Sequence, residues 1–319
     1  MSRRLVTFRN VDPVRDVFAD LDVREVPKGS YSVPELIDHA GGAEALFIHS
    51  ENPYGRDLFE AVPSLRVIGK AGSGIDNIDV EAATDHGVAV VHTPGMNAES
   101  VGEYTVGLLI AHLRRIPAAE RHLHEGGWRS EAWWGTELRD RTVGIVGLGA
   151  AGTATAERLE PFGVDLVAHD PYVDEARADA VGADLVDLDD LLGRSDVVSL
   201  HVRLNAETRG MIDANALDRM GEDAVLVNTS RGEVVDRDAL RDALDRDAIG
   251  GAALDVFHEE PPDPDDPLLD HGNVLATPHL AGAGRRTRVD MLRMTAENVV
   301  AVLNGDPVED RFVANPRTL

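Results

Sequence analysis

Short apolar runs alternate with amphipathic segments along the first 95 residues of the chain. Apolar runs of four or five residues between turn-forming residues are typical of strands, whereas apolar positions repeated every three or four residues are typical of helices. The predicted strands are Leu5–Phe8, Val23–Val26, Ala45–His49, Arg66–Gly69 and Ala89–His92. The helices predicted between them are Val14–Asp20, Val33–His39, Arg56–Ala61 and Val80–His86. This alternation predicts a small parallel α/β domain that ends near Thr93-Pro94-Gly95.

The remainder of the chain continues the same rhythm. A helical pattern begins at Ala98, and two apolar runs then end at Val146 and just before Asp170. Five further strands are predicted at Ala183–Val186, Val197–Val202, Ala224–Asn228, Ala252–Val256 and Val274–Ala276, with a helix at Asp236–Leu244 among them. A last long helix, Arg286–Leu303, could return to cover the first domain. We therefore predict one domain over residues 1–97 plus 286–319 and a second, doubly wound domain over residues 98–285.

The first apolar run of the second domain leads into a glycine-rich turn. Gly147, Gly149 and Gly152 form a G-x-G-x-x-G pattern between a predicted strand and a predicted helix, and Asp170 ends the next strand. In a dinucleotide-binding fold these glycines allow a tight turn, close approach of a pyrophosphate and close packing of helix on strand. The carboxylate at Asp170 can accept both ribose hydroxyls but would repel a 2′-phosphate. The pattern predicts NAD binding, with NAD favoured over NADP.

Composition and charge restrict the class of protein. The formal net charge is −26, from 57 acidic and 31 basic residues, and Lys28 and Lys70 are the only lysines. Such an acidic surface repels nucleic acids and anionic membranes, so neither is an expected partner. Acidic excess with almost no lysine favours a halophilic protein that loses activity in low salt. The absence of cysteine excludes disulfides and thiolate chemistry.

Other features of the sequence suggest where the protein resides and whether it holds a metal. No apolar stretch is long enough to span a bilayer, and the N-terminus lacks the pattern of a secretory signal, so we expect a cytoplasmic protein. His112, His122 and His124 lack further ligands at close spacing, so no metal site is predicted. The three tryptophans at 128, 133 and 134 are interpreted as packing residues at a domain junction or as a dimer contact.

Three polar residues follow predicted strands of the second domain. They are Arg231, Glu260 and His279. The carboxyl ends of parallel strands form the ligand-binding edge of an open α/β sheet. An arginine can hold a carboxylate with two parallel hydrogen bonds, and a histidine can transfer a proton near neutral pH. Reduction of a 2-keto acid requires both an anchor for its carboxylate and an acid for the developing alkoxide.

Seven segments carry a family resemblance. They are GKAGSGIDNID (69–79), NAESVGEYTVGLL (97–109), GTEL (135–138), VGIVGLGAAG (143–152), LVNTSRGEVVD (226–236), ALDVFHEEP (253–261) and TPHLAGAG (277–284). In this order the segments resemble the D-2-hydroxyacid dehydrogenase family. The resemblance implies an NAD-dependent oxidoreductase with two Rossmann-like, doubly wound parallel-sheet domains and an inter-domain active-site cleft. It also implies that the first domain binds substrate and the second binds NAD.

The resemblance assigns a role to individual residues. It implies that Arg231 anchors the substrate carboxylate, that His279 is the acid/base and that Glu260 is its partner. The backbone of Gly72, Ser73 and Gly74 would hold the carboxylate from the other domain. The cofactor-binding residues implied are Gly147, Gly149, Ala150, Ala151, Gly152, Asp170, Thr229, Ser230 and Asp255.

Departures from the family pattern leave alternatives open. Ala150-Ala151 replaces an Arg-Ile pair, so backbone N–H groups and the helix dipole must hold the pyrophosphate. His49-Ser50-Glu51-Asn52 stands where phosphoglycerate-binding relatives place an arginine, which favours a small unphosphorylated 2-keto acid as substrate. Two alternatives are a 3-phosphoglycerate dehydrogenase and a non-enzymatic, NAD-sensing protein of the corepressor type. The helical segments around 98–134 suggest a homodimer by family analogy. The roles of His201 and Arg203 stay open.

Overall fold

The computed structural model describes residues 3–48 and 52–319. The chain divides into two compact units, one formed by Met1–Asn97 with Gly284–Leu319 and one formed by Ala98–Ala283. The border between Ala283 and Gly284 lies two residues before the predicted one, and the roles assigned to the two domains stay predictions. The predicted strand end at His49 and the loop comparison over His49, Ser50 and Glu51 lie outside the described residues.

The first unit contains a five-stranded parallel sheet. Its strands are β1 (Arg4–Thr7), β2 (Asp22–Glu25), β3 (Ala45–Ile48), β4 (Val67–Lys70) and β5 (Ala89–His92), in the order β2-β1-β3-β4-β5. Its first helices are α1 (Val33–Ala40), α2 (Arg56–Ala61) and α3 (Val80–Asp85). The helix predicted at Val14–Asp20 is wrong in type. A 3-10 segment, Asp12–Phe18, takes its place because the backbone at Val14 leaves the helical region.

The second unit contains a seven-stranded parallel sheet. Its strands are β6 (Thr142–Val146), β7 (Asp165–His169), β8 (Ala183–Leu185), β9 (Val197–Leu200), β10 (Val225–Asn228), β11 (Gly251–Leu254) and β12 (Val274–Ala276), in the order β12-β11-β10-β9-β6-β7-β8. The helices of this unit are α4 (Ala98–Leu113), α5 (Ile116–His124), α6 (Ala150–Leu159), α7 (Glu175–Asp179), α8 (Leu188–Arg194), α9 (Ala214–Arg219), α10 (Arg237–Asp245) and α11 (Pro267–Asp270). This strand order confirms the predicted doubly wound fold. Strand β9 ends two residues earlier than predicted because its pairing with β10 stops at Leu200.

The last helix, α12 (Arg285–Asn304), packs on the first sheet. Its apolar face includes Leu292, Ala296 and Val299, which belong to one core cluster with Phe47 of β3. Gly69 permits this approach, because a Cβ there would lie 2.4 Å from Val299 Cγ2. The prediction that the last helix returns to the first domain is therefore confirmed. Every helix of the described chain is too short or too polar to cross a lipid bilayer.

Candidate active site

The glycine turn lies between β6 and α6, at the carboxyl edge of the second sheet. Gly147 has a φ of +92°, and a Cβ there would lie 2.8 Å from the carbonyl oxygen of His201. A Cβ at Gly152 would lie 2.0 Å from the carbonyl oxygen of Gly147, so helix and turn touch without room for a side chain. A Cβ at Gly149 would meet no protein atom within 4 Å. The first and third glycines are therefore required by packing, whereas the second leaves open space in front of the turn.

The space in front of the turn fits a pyrophosphate. Helix α6 begins at Ala150 and has ten residues, so its first N–H groups and its dipole are available to an anion. Ala150 and Ala151 add only methyl groups there. The carboxylate of Asp170 accepts a hydrogen bond from the N–H of Leu148, in the turn itself, at 2.9 Å. The turn and the acid that the sequence placed apart are thus adjacent in the fold.

The backbone of His201 packs directly against the glycine turn. Its N–H donates to Val146 at 2.7 Å, and its Nε2 lies 2.9 Å from Ser199 Oγ. Burial lowers the pKa of His201 to about 4, so the ring is neutral at physiological pH. Arg203 is exposed, and its carbonyl oxygen accepts from Thr208 Oγ1. Both contacts are structural.

His279 and Glu260 form the most direct side-chain contact of the candidate site. His279 Nδ1 lies 2.6 Å from Glu260 Oε2, and the two side chains are 45% and 38% exposed. The second oxygen of Glu260 accepts from the N–H of Phe257 at 3.1 Å. Partial burial acts to raise the pKa of Glu260. The hydrogen bond and charge of His279, the Phe257 N–H and the charge of Arg231 outweigh it, and the pKa is lowered.

Arg231 lies within electrostatic range of this pair because two loops meet. A Cβ at Gly232 would lie 2.1 Å from the carbonyl carbon of Phe257, so only glycine lets the loop after β10 touch the loop that leads to Glu260. Asn228 closes the first loop by donating to the carbonyl oxygen of Arg231 at 2.9 Å and accepting from Ser230 Oγ at 2.7 Å. The structure thus brings together the arginine, the glutamate and the histidine that the sequence predicted.

The carboxylate of Asp255 holds the turn that carries His279. It is fully buried and accepts from Thr277 Oγ1 at 2.7 Å, Leu280 N–H at 2.9 Å and Ala281 N–H at 2.8 Å. His279 itself has a φ of +52° and donates its N–H to the carbonyl oxygen of Asp255 at 2.8 Å. A left-handed conformation costs a non-glycine residue about 1–2 kcal/mol. These hydrogen bonds offset that cost and fix where the imidazole points.

Other predicted residues have partners inside the protein. The Thr229 and Thr105 hydroxyl oxygens are 3.0 Å apart and buried, and Ser230 is bonded to Asn228 as described above. In the first unit, Gly72 already donates its N–H to Thr93 Oγ1 at 2.9 Å. No described residue accepts from the N–H of Ser73 or of Gly74.

Two residues with structural roles were missed by sequence reasoning. Asn228 shapes the arginine loop, and Thr277 supports the Asp255 carboxylate. Their only sequence signal is that each is a small polar residue at or directly after the end of a predicted strand. Trp128 and Trp134 are 79% and 66% exposed, so packing within the chain is the wrong interpretation for those two side chains.

Comparison with known proteins shows the family of the chain. Residues 106–281 match the family model described as D-isomer specific 2-hydroxyacid dehydrogenase, NAD binding domain. The chain is 39% identical over 283 residues to D-3-phosphoglycerate dehydrogenase of Archaeoglobus fulgidus, covering 89% of this chain and 54% of that protein. It is 42% identical over 276 residues to glyoxylate reductase of Korarchaeum cryptofilum, covering 85% of this chain and 83% of that protein.

A solved structure is similar over nearly the whole chain. The crystal structure of a glyoxylate reductase from Paecilomyes thermophila has a TM-score of 0.88 at 27% identity, and the match covers 99% of each chain. The present chain spans about half the length of the D-3-phosphoglycerate dehydrogenases it matches, 54% and 53% for two of them. Its second unit contains the matched NAD binding domain, and the chain belongs to the D-isomer specific 2-hydroxyacid dehydrogenase family.

Proposed function

We propose that this protein is an NAD-dependent oxidoreductase that interconverts a small 2-keto acid and its D-2-hydroxy acid. One observation carries the proposal. The 2.6 Å contact between His279 and Glu260, with the charge of Arg231 in range, lies at the carboxyl edge of the sheet that also bears the glycine turn. A proton donor, a carboxylate anchor and a dinucleotide cradle are thereby available along one edge.

Arg231, Glu260 and His279 have distinct tasks in this reaction. Bound NADH supplies the hydride. Arg231 binds the carboxylate of the keto acid and orients the carbonyl carbon. Glu260 accepts a hydrogen bond from Nδ1–H of His279. Nε2 of His279 is then the nitrogen that gives its proton to the carbonyl oxygen as negative charge develops there. In the reverse direction the same nitrogen accepts the hydroxyl proton.

The backbone of the loop after β4 contributes to substrate binding in this proposal. The N–H groups of Ser73 and Gly74 donate to the substrate carboxylate, and Gly72 supports the loop through its bond to Thr93. On the cofactor side, the N–H groups of Ala150, Ala151 and Gly152 bind the pyrophosphate, and Asp170 selects NAD. Thr229 and Ser230 line the cofactor, and the fully buried Asp255 lies near the nicotinamide without contacting it, through the turn that carries His279.

Steady-state kinetics test this assignment. A panel of 2-keto acids is incubated with NADH in high salt, and NADH consumption is followed by absorbance. Arg231→Ala should lower kcat/KM by about two orders of magnitude or more, because loss of a charge partner costs about 3 kcal/mol. Arg203→Ala, which removes an exposed arginine after the neighbouring strand, is the matched control and should leave kcat/KM unchanged. A tenfold or smaller loss with Arg231→Ala would place the anchor elsewhere.

Two alternatives give different results in the same assay. Preference for the phosphorylated three-carbon substrate would identify a 3-phosphoglycerate dehydrogenase, the activity named for one relative. NADH binding without consumption of NADH by any keto acid would identify an NAD-sensing binding protein. The net charge of −26 disfavours the chromatin role of such a sensor, because that surface repels nucleic acid.

A homodimer is part of the proposal, and its contact surface is the segment 116–134. Helix α5 has no buried residue, and Ile116, Leu123, Trp128 and Trp134 are 52–79% exposed. Residues 114–134, this segment with the two arginines before it, hold four arginines against three glutamates in a chain of net charge −26, so like-charge repulsion between two copies is weak at this surface. Leu123→Glu should halve the mass measured by light scattering, whereas Leu319→Glu, at another exposed leucine, should not. The halophilic character and the cytoplasmic location stay predictions.

A further inference from the structure

Two arginines of the first unit lie close together at the carboxyl edge of its sheet. Arg9 is two residues beyond β1, and its Nη1 lies 3.5 Å from the carbonyl oxygen of Ile48, the last residue of β3. Its guanidinium also lies over the Phe47 ring, 5.6 Å from the ring centroid. Arg9 therefore bridges the carboxyl ends of β1 and β3.

The carboxyl ends of β1 and β3 flank the topological switch point of the first sheet. In the order β2-β1-β3-β4-β5 the chain reverses its direction of travel across the sheet between β1 and β3. Open α/β sheets bind ligands outside the carboxyl ends of the strands at that point. Arg9 thus lies where the topology opens a crevice.

Arg288 reaches the same edge from helix α12. Arg66, before β4, donates to the carbonyl oxygen of Leu303, whereas Gly69 packs against Thr295, so α12 runs antiparallel to β4. Arg288 precedes Thr295 by seven residues and lies about 10 Å farther toward the carboxyl edge. It is one turn before the buried Leu292 and shares its face of the helix.

The two guanidinium groups lack an acidic partner among the described residues. Neither has a carboxylate oxygen of those residues within 4.0 Å, and Arg9 Nε is buried without a hydrogen-bond acceptor. Burial, followed by repulsion from Arg288, lowers the pKa of Arg9 to about 10. Arg9 therefore remains charged at neutral pH. By contrast Arg293, on the next turns of the same helix, pairs with Asp16 at 3.1 Å.

The position of Arg288 in the first turn of α12 is also electrostatically unfavourable. That turn contains arginines and no acidic residue, although the positive end of a helix dipole favours anions and disfavours cations. In a chain with 57 acidic residues, this concentration of positive charge is not explained by composition. An anion bound between Arg9 and Arg288 would relieve the repulsion of the two charges and satisfy the buried Nε.

We infer that Arg9 and Arg288 form an anion subsite that binds a second negatively charged group of the substrate, either a carboxylate or a phosphate. This inference rests on the proposed function. The loop after β4 and the carboxyl end of β1 are two strands apart on the same edge of the sheet, a distance of about 10 Å. The side chain of Arg9 spans part of that distance. A 2-keto acid held at that loop by its first carboxylate therefore extends its far end toward Arg9. Because the proposed substrate is small and unphosphorylated, the expected class is the dicarboxylic 2-keto acids.

Kinetics with matched substrates test the subsite. The ratio of kcat/KM for 2-oxoglutarate to that for the uncharged-tail 2-oxopentanoate should be about ten or more, and Arg288→Gln should bring it near one. Arg286→Gln, whose side chain is 95% exposed on the same helix turn, is the matched control and should keep the ratio. An equal loss in both variants, or an unchanged ratio in Arg288→Gln, would overturn the inference. A preference for 3-phosphohydroxypyruvate that depends on Arg288 would identify phosphate as the group.

Binding without turnover separates the subsite from the catalytic proposal. Glutarate and inorganic phosphate, at constant ionic strength, should raise the Tm of the wild type and of Arg286→Gln but not that of Arg288→Gln. This result would stand even if no keto acid consumed NADH. A Tm unaffected by either anion in the wild type, or raised equally in Arg288→Gln, would show that no such subsite exists.

Discussion

Replacement of Asp255 by asparagine tests whether this carboxylate positions His279. An asparagine side chain has one acceptor oxygen and one amide nitrogen that only donates. In either orientation, the nitrogen faces at least one of the three donors that the carboxylate now binds, from Thr277, Leu280 and Ala281. The change therefore loses charge-assisted hydrogen bonds and leaves at least one buried donor without an acceptor.

The expected cost follows from this hydrogen-bond pattern. Hydrogen bonds to a charged group contribute about 1.5–3 kcal/mol each, and an unsatisfied buried donor costs about 1–3 kcal/mol. Allowing for relaxation of the turn, Asp255→Asn should destabilise the second unit by about 3 kcal/mol. His279 could then leave its left-handed conformation, and kcat/KM should fall about a hundredfold because 1.4 kcal/mol corresponds to a factor of ten.

Denaturant unfolding and steady-state kinetics on the same preparations measure both effects. Thr277→Val is the graded control, because it removes one donor and leaves both backbone bonds to the carboxylate, so its cost should be about 1 kcal/mol. NADH affinity, measured by fluorescence titration, should change much less than kcat. An unfolding free energy within 1 kcal/mol of wild type, or a kcat/KM within threefold, would show that Asp255 does not position the histidine.

Further predictions concern pH, the glycine turn and salt. Glu260→Gln removes the negative charge that lies beside His279 Nδ1, so the pH profile of reduction should shift to lower pH; an unchanged profile contradicts the pairing. Gly149→Ala should weaken NADH binding at unchanged stability, whereas Gly152→Ala should cost roughly 1–3 kcal/mol of unfolding free energy; unchanged NADH affinity in Gly149→Ala would place the pyrophosphate elsewhere. Dilution from about 1 M to 0.1 M salt lengthens the screening distance from about 3 to 10 Å and should lower Tm and activity; equal stability in both buffers would refute the halophilic assignment.

Local patterns were sufficient for most element types and for naming the candidate residues. Strand and helix periodicity located the sheets and the final helix, and Gly147, Gly149 and Gly152 were identified because a glycine turn is a short-range feature. Errors occurred where strand pairing or a local departure of the backbone sets the limits of an element. Strand β9 stops at Leu200 because its neighbour stops there, and Val14 interrupts a segment that the apolar spacing alone predicts as helical.

Contacts between distant positions were decided only by the tertiary structure. The sequence placed His279 and Glu260 each after a strand, but their 2.6 Å contact depends on the order of β11 and β12 and on the turn that Asp255 holds. Arg9 and Arg288 carry no local signal, since an arginine after a strand and one in a helix are each ordinary. The amino-acid sequence by itself determined the kinds of element and the kinds of chemical group. The tertiary structure decided which charges meet, because sheet order and helix direction, rather than spacing along the chain, set the distances between them.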